Sequence, residues 1–213
     1  METRDEDDIA GSDVLLTLQL LTAIEQDERL TQRSAAKQLG IALGLTNAYL
    51  RRCIKKGYVK VAQAPARRYA YYLTPTGFAE KGRLTAQYLS MSFDLFRNAR
   101  SQYTELFAFC VQAGWTQVAL AGAGDLAEIA SLCACDVPVT LSGVIDADHA
   151  EATCAGLPVK PSLADIEPVQ AVVVTDMIRP QAVWEELAAI YGASRVLAPK
   201  MLNISRWRNQ FTE

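Results

Sequence analysis

Residues 31–75, TQRSAAKQLGIALGLTNAYLRRCIKKGYVKVAQAPARRYAYYLTP, restrict the folds open to this chain more than any other stretch. Thr31 stands where a helix N-cap belongs, and Ala35, Ala36 and Leu39 follow as its apolar positions. Gly40 falls where a helix usually stops. A second helix is predicted from about Leu43 to Lys56, carrying Arg51, Arg52, Lys55 and Lys56 and ending at Gly57. Tyr58-Val59-Lys60-Val61 and Arg68-Tyr69-Ala70-Tyr71-Tyr72-Leu73 alternate as strands do. Between them Gln63-Ala64-Pro65-Ala66-Arg67 reads as a turn with a basic edge.

Two short helices around a glycine turn, followed by a basic hairpin, form the layout of a winged helix-turn-helix. In that layout the second helix enters the major groove of DNA. Charge follows the same division. The whole chain is acidic at net −3, yet residues 13–85 carry twelve Lys/Arg against five acids. Residues 115–213 carry six against twelve. Clustered Lys/Arg attract duplex phosphate and supply most sequence-independent affinity, whereas an isolated charge run is often only a solvated helix face. On the second helix the spacing turns Thr46, Tyr49, Leu50 and Cys53 inward and leaves Leu45, Asn47, Ala48, Arg51, Arg52 and Lys55 outward. Asn47 and Arg51 are the candidates for base edges, since Asn pairs with adenine and Arg with guanine through two hydrogen bonds. Arg52, Lys55 and Lys60, with Arg67 and Arg68 in the wing, are candidates for phosphate. Thr31, Gln32 and Arg33 lie at a helix N-terminus, where backbone N–H groups also favour phosphate. The partner so implied is double-stranded DNA.

Length and composition bound the rest. At 213 residues, half of them hydrophobic, the chain suits two small domains. Residues 1–12 carry one Arg against five acids and no apolar stretch, which predicts a disordered acidic tail and no signal peptide. No apolar run reaches the ~20 residues a membrane span needs. The five cysteines, at 53, 110, 133, 135 and 154, lack framework or zinc spacing and read as reduced thiols of a cytoplasmic protein. Thr74-Pro75 caps and opens a helix with no strong breaker before Gly114. About 38 residues at ~1.5 Å each give a helix of about 57 Å. Its positions 78, 82, 85, 89, 92, 96, 99, 103, 106 and 110 step by four and three, a heptad seam of mixed quality. Packing against the chain's own domains explains such a seam; dimerisation explains it better, because two half-sites demand two recognition helices. The expected blocks are therefore a tail at 1–12, a winged helix at 13–75, a linking helix at 76–114 and a second domain at 115–213.

That second domain alternates strands and helices. Gln117–Ala121 is a short apolar strand that runs into Gly122-Ala123-Gly124-Asp125-Leu126-Ala127 and then a helix. This is G-x-G-x-x-A in the strand–turn–helix context that a dinucleotide fingerprint requires. Thr140–Ile145 is a second strand, and it ends on Asp146, 24 residues after Gly122, about where an acid binds a ribose hydroxyl. Ala171–Thr175 and Arg195–Ala198 read as further strands around an amphipathic helix at 180–191. The pattern predicts a parallel, doubly wound sheet, α/β overall. Gly122, Ala123, Gly124, Asp125, Leu126 and Asp146 are the candidate ligand contacts. Glycines of this kind also serve strand-to-helix geometry alone, and Asp125 would repel a phosphate. His149, the single histidine, has no evident acid–base partner. No catalytic residue and no metal site is predicted, and the chain is expected not to be an enzyme.

Two resemblances add to this reading. Leu30-Thr31-Gln32-Arg33, Leu39-Gly40, Leu43-Gly44, Asn47, Leu50, Lys56-Gly57-Tyr58-Val59 and Tyr72-Leu73-Thr74-Pro75-Thr76-Gly77 make residues 15–89 resemble winged-helix regulators of the MarR type, especially a bacterial group associated with exopolysaccharide loci. Thr46 and Cys53 stand where that family has larger apolar residues. The order Gly-Ala-Gly, strand ending in Asp, Gly156-Leu157-Pro158-Val159, then Ser162-Leu163-Ala164-Asp165, resembles the Rossmann-like domains attached to polysaccharide-biosynthesis enzymes and sugar acyltransferases. That resemblance implies a nucleotide sugar or NAD(H) as effector, touching Gly122, Gly124 and Asp146. Similar parts are combined in redox-sensing repressors that bind NADH. The expectation is a dimeric transcription regulator of polysaccharide genes with a nucleotide-sensing domain. The alternatives are an enzyme of nucleotide-sugar metabolism with an accessory helical domain, or a regulator whose second domain only oligomerises.

Overall fold

The computed structural model describes residues 2–27, 30–64, 68–149, 151–166 and 168–205; the side chains of residues 2–12, 63, 64 and 68 are outside the described set. The chain divides into two compact units, Met1–Phe93 and Asp94–Glu213. The division falls inside the long helix that the sequence treats as a block of its own.

In the first unit, α1 (Glu2–Gln26) precedes α2 (Gln32–Leu39), α3 (Leu43–Lys55), β1 (Val59–Ala64), β2 (Arg68–Leu73) and the first part of α4 (Pro75–Gln112). Thr31 caps α2 in a reciprocal capping box with Ser34, and Gly40 ends it in the left-handed conformation. Strands β1 and β2 pair antiparallel from Val59↔Leu73 to Ala64↔Arg68, and the tip between them, with Arg67, lies outside the described residues. The core is Leu20, Leu21 and Ile24 of α1 packed with Leu30, Ala35, Leu50, Cys53, Val59, Tyr71 and Leu84. Helix α1, which precedes Thr31, is an addition to the expected elements. Residues 2–12 of the expected tail fall within α1.

The step from wing to α4 is held by hydrogen bonds through Thr74, whose Oγ1 also donates to Tyr58 O at 3.2 Å. Thr74 N donates to Tyr58 O at 3.0 Å, Thr74 Oγ1 donates to Gly57 O at 2.6 Å, and Gly77 N donates to Thr74 Oγ1 at 3.0 Å. Helix α4 then continues for 38 residues without a break at Gly82 or Asn98.

In the second unit the sheet order is β5-β6-β4-β3-β7-β8, from β3 (Gln117–Ala121), β4 (Thr140–Ile145), β5 (Thr153–Cys154), β6 (Leu157–Lys160), β7 (Ala171–Val174) and β8 (Val196–Leu197). All pairs are parallel except β5 with β6. Alternate residues of a strand face opposite sides. Val118 and Leu120 of β3, with Ala171 and Val173 of β7, pack with Ala99, Tyr103 and Phe107 of α4 and with α5 (Asp125–Ala134). Ala119, Ala121, Val172 and Val174 pack on the other side with Trp184 and Leu187 of α6 (Pro180–Tyr191). Both faces are covered, which is why these strands read as unbroken apolar runs. This is a Rossmann-like parallel sheet, and the fold is α/β overall with a winged helix-turn-helix at the N-terminal side. Among the described residues no helix is long and apolar enough to cross a membrane.

Candidate nucleic-acid interface and strand-end crevice

Helix α3 has two distinct sides. Thr46, Leu50 and Cys53 are buried, and Leu45, Ala48, Arg51, Arg52 and Lys55 are exposed. The Cys53 thiol, pushed up to about 11 by burial, belongs to the core. Asn47 is only half-exposed, and its Oδ1 is buried without a hydrogen-bond partner, so the amide that would read adenine is turned partly into the fold. Arg52 is exposed but engaged: its Nη1 donates to both carboxylate oxygens of Asp13, at 2.9 and 2.6 Å. Lys56 lies over the Tyr58 ring, 5.7 Å from its centroid. Lys60 is exposed on β1. Arg68 opens β2, with its side chain outside the described residues.

The helix α2 candidates are all exposed and partly committed to the fold. Thr31 spends its hydroxyl on the capping box. Gln32 Nε2 donates to the Tyr71 hydroxyl at 3.2 Å and ties α2 to the wing. Arg33 is exposed. Ala42 precedes helix α3 as its N-cap and makes no side-chain cap, so the first N–H groups of α3 have no side-chain acceptor from it. One contact the sequence did not announce is Asp13, whose carboxyl is held below its ordinary value by the Tyr49 hydroxyl and by Arg52.

In the second unit the glycine loop carries Gly122 at φ 106° and Gly124 at φ 150°. A Cβ on Gly122 would stand 2.5 Å from the Asp176 Cα, whereas Gly124 faces open space. Asp146 closes on the loop: its Oδ2 accepts from Ala123 N at 2.9 Å, and its Oδ1 accepts from the N–H groups of Asp148 and His149 at 2.9 and 3.1 Å. Asp125 is exposed and Leu126 is buried at the start of α5. Thr175 Oγ1 donates to Gly122 O at 2.6 Å and fixes the loop from the other side. A cavity of about 300 Å³ opens at the carboxyl ends of the strands, lined by Gly122, Asp146, Ser162, Asp176, Arg179 and Glu186 with apolar residues of α6. Crevices at strand carboxyl ends are where open α/β sheets hold ligands. His149 sits beside the loop half-buried, with Nε2 buried and unpartnered.

Residues 15–60 match the model of a family described as winged helix-turn-helix DNA-binding. No curated protein is significantly similar to the chain. Among solved structures, the chain is similar to the transcription regulator of the Staphylococcus aureus multidrug efflux pump at 23% identity and a TM-score of 0.33, over 38% of this chain and 61% of that one. It thus spans about three-fifths of that regulator's length. An O-methyltransferase from neocarzinostatin biosynthesis, in complex with S-adenosyl-L-homocysteine, is 14% identical over 89% of this chain and 81% of that one, with a TM-score of 0.33. The human N-acetylserotonin methyltransferase in complex with SAM is 15% identical over 82% of this chain and 70% of that one, with a TM-score of 0.28. The expectation that the chain is no enzyme is corrected by the similarity to these two methyltransferases.

Proposed function

We propose that the chain is a DNA-binding transcription regulator that reads duplex DNA through α3 and the β1–β2 wing. The observation that carries the reading is the exposed side of α3, with Leu45, Ala48, Arg51 and Lys55 outward, inside the segment matched by the DNA-binding winged-helix family. Arg51 is the base-reading residue, Leu45 and Ala48 offer apolar contact to thymine methyl groups, and Lys55, Lys60 and the wing arginines hold phosphate. The strand-end crevice of the second unit holds a small effector of nucleotide type, a nucleotide sugar or NAD(H). Such a ligand would meet Asp146 at its ribose. Its phosphates would rest on N–H groups other than that of Ala123, which already donates to Asp146. An effector that binds one state of the chain more tightly shifts that equilibrium and with it the DNA affinity. Polysaccharide genes are the proposed targets, on the strength of the two resemblances. The active species is a dimer joined along α4. Fluorescence anisotropy with the promoter of the protein's own gene against scrambled DNA at matched salt tests the reading. Preference for the promoter, lost in Arg51→Ala, supports it; no binding to either duplex at low salt sinks it.

A further inference from the structure

We infer that Asp13 is a specificity-determining residue, which holds Arg52 back from phosphate and so limits the charge that α3 offers to any DNA. The inference rests on the DNA-binding reading above. Asp13 lies on α1, outside the winged-helix elements that would touch a duplex. Its Oδ1 accepts from the Tyr49 hydroxyl at 2.6 Å and from Arg52 Nη1 at 2.9 Å, and its Oδ2 accepts from the same Nη1 at 2.6 Å. One guanidinium nitrogen thus spans both oxygens, and a second donor keeps the carboxylate in place. Arg52, Asp13, Lys56, Glu80 and Arg83 also line one small cavity of about 90 Å³, beside Val14 and Thr17 of α1 and Leu84 of α4. Neighbouring helix residues point about 100° apart, so Arg51 and Arg52 look in different directions. Arg51 and Lys55 do not line that cavity.

The consequence follows from counterion release. Each phosphate neutralised by a free cation steepens the salt dependence of binding by about 0.9 in log–log slope, whatever the base sequence. A guanidinium whose charge is matched by Asp13 adds little of this term. Less sequence-independent affinity leaves base contacts a larger share of the total, and specificity is the ratio of the two.

The test is a double-mutant cycle on the full chain, read as the salt dependence of binding to a random-sequence duplex. Asp13→Asn keeps an acceptor for Tyr49 and removes the charge. It is expected to steepen the slope by about 0.9 and to tighten binding most at low salt. Arg52→Gln is expected to change the slope little in the wild-type background and to remove about 0.9 in the Asp13→Asn background. Additive effects of the two changes, or a full loss of slope from Arg52→Gln alone, would overturn the inference, because Arg52 would then already act on phosphate. Should the Asn variant melt below the assay temperature, Asp13→Ser gives the same comparison. A wild-type chain that fails to bind duplex at low salt overturns the DNA reading itself, which is distinguishable from a wild type that binds and an Asp13→Asn that matches it.

Discussion

At position 77 a methyl group would meet the Tyr58 carbonyl oxygen at 2.0 Å and the Tyr58 carbonyl carbon at 2.9 Å. The obstacle is main chain held by Thr74, so no side chain can swing aside. Gly77→Ala is expected to destabilise the N-terminal unit by about 1–3 kcal/mol, the usual range for overpacking. Scanning calorimetry would register this as a fall of at least about 4 °C in that unit's transition; an unchanged melt would mean that α4 and the wing are not joined this way. The glycine that closes Leu73-Thr74-Pro75-Thr76-Gly77 is thereby explained by close packing. Gly122 has the same kind of reason, since Asp176 leaves no room for a Cβ. The cysteines differ in the same local terms. Cys135 is exposed and the other four are buried. Burial raises the Cys53 thiol to about 11, so the fold favours its neutral form. The stability linked to Cys53 is complete below the ordinary thiol value and is lost as pH rises through about 11. Thiol titration with an aromatic disulfide at pH 8 is expected to label Cys135 rapidly and the rest only at the rate of opening. Fast labelling of Cys53 would contradict the packing of α3.

Elements with local signals were legible in the sequence: α2 from its cap and glycine stop, α3 from its spacing, β3 with α5 from the glycine loop. Those lacking such signals were not. Helix α1 opens in an acidic run that reads as a tail, yet Leu20, Leu21, Ala23 and Ile24 carry the apolar spacing that builds the core. Strands β5 and β6 are two and four residues long, and Pro158 masks the second as a turn. The α4 seam was legible as apolar and ambiguous as to what covers it. Ala99, Tyr103 and Cys110 are buried in the second unit's own core, with Phe107, a residue the heptad count skips. Tyr103 even donates its hydroxyl to Val174 O at 3.0 Å. In the site, charge spacing located the basic residues, and only tertiary contact with Asp13 and with the fold separates Arg51 from Arg52 and Asn47. Phe107 is fully buried. Phe107→Ala is expected to cost about 3–5 kcal/mol in the unfolding of the second unit, measured by denaturant titration. A loss below about 1 kcal/mol would mean that the end of α4 is not part of that core.

At the scale of the whole molecule, the exposed apolar residues of α4 bear on self-association. Along the middle of α4, Leu89, Phe93 and Phe96 form one exposed stripe at helical spacing, flanked by Tyr88, Met91 and Leu95. The only charges between residues 88 and 97 are Asp94 and Arg97, which pair with each other at 2.6 Å. Exposed apolar residues at this spacing are the surface on which the proposed self-association is tested. Being neutral as a whole, it suits a second copy of itself better than an oppositely charged partner, and a two-fold interface sets the same patch against itself. Phe93 is the deepest test, because it is 57 % exposed in the single chain and sits mid-stripe. Wild-type chain is expected to sediment at twice its 23.3 kDa mass, and Leu89→Glu with Phe93→Glu to sediment as a monomer. The variant should keep the wild-type melting of both units, since neither side chain is buried within them. Losing the second recognition helix removes the advantage of two linked half-sites, so binding to promoter DNA should weaken by about 10²-fold or more. A double variant that remains dimeric would place self-association elsewhere. A monomer with wild-type DNA affinity would mean that one winged helix suffices for reading, and the case for a dimeric regulator would fall with it.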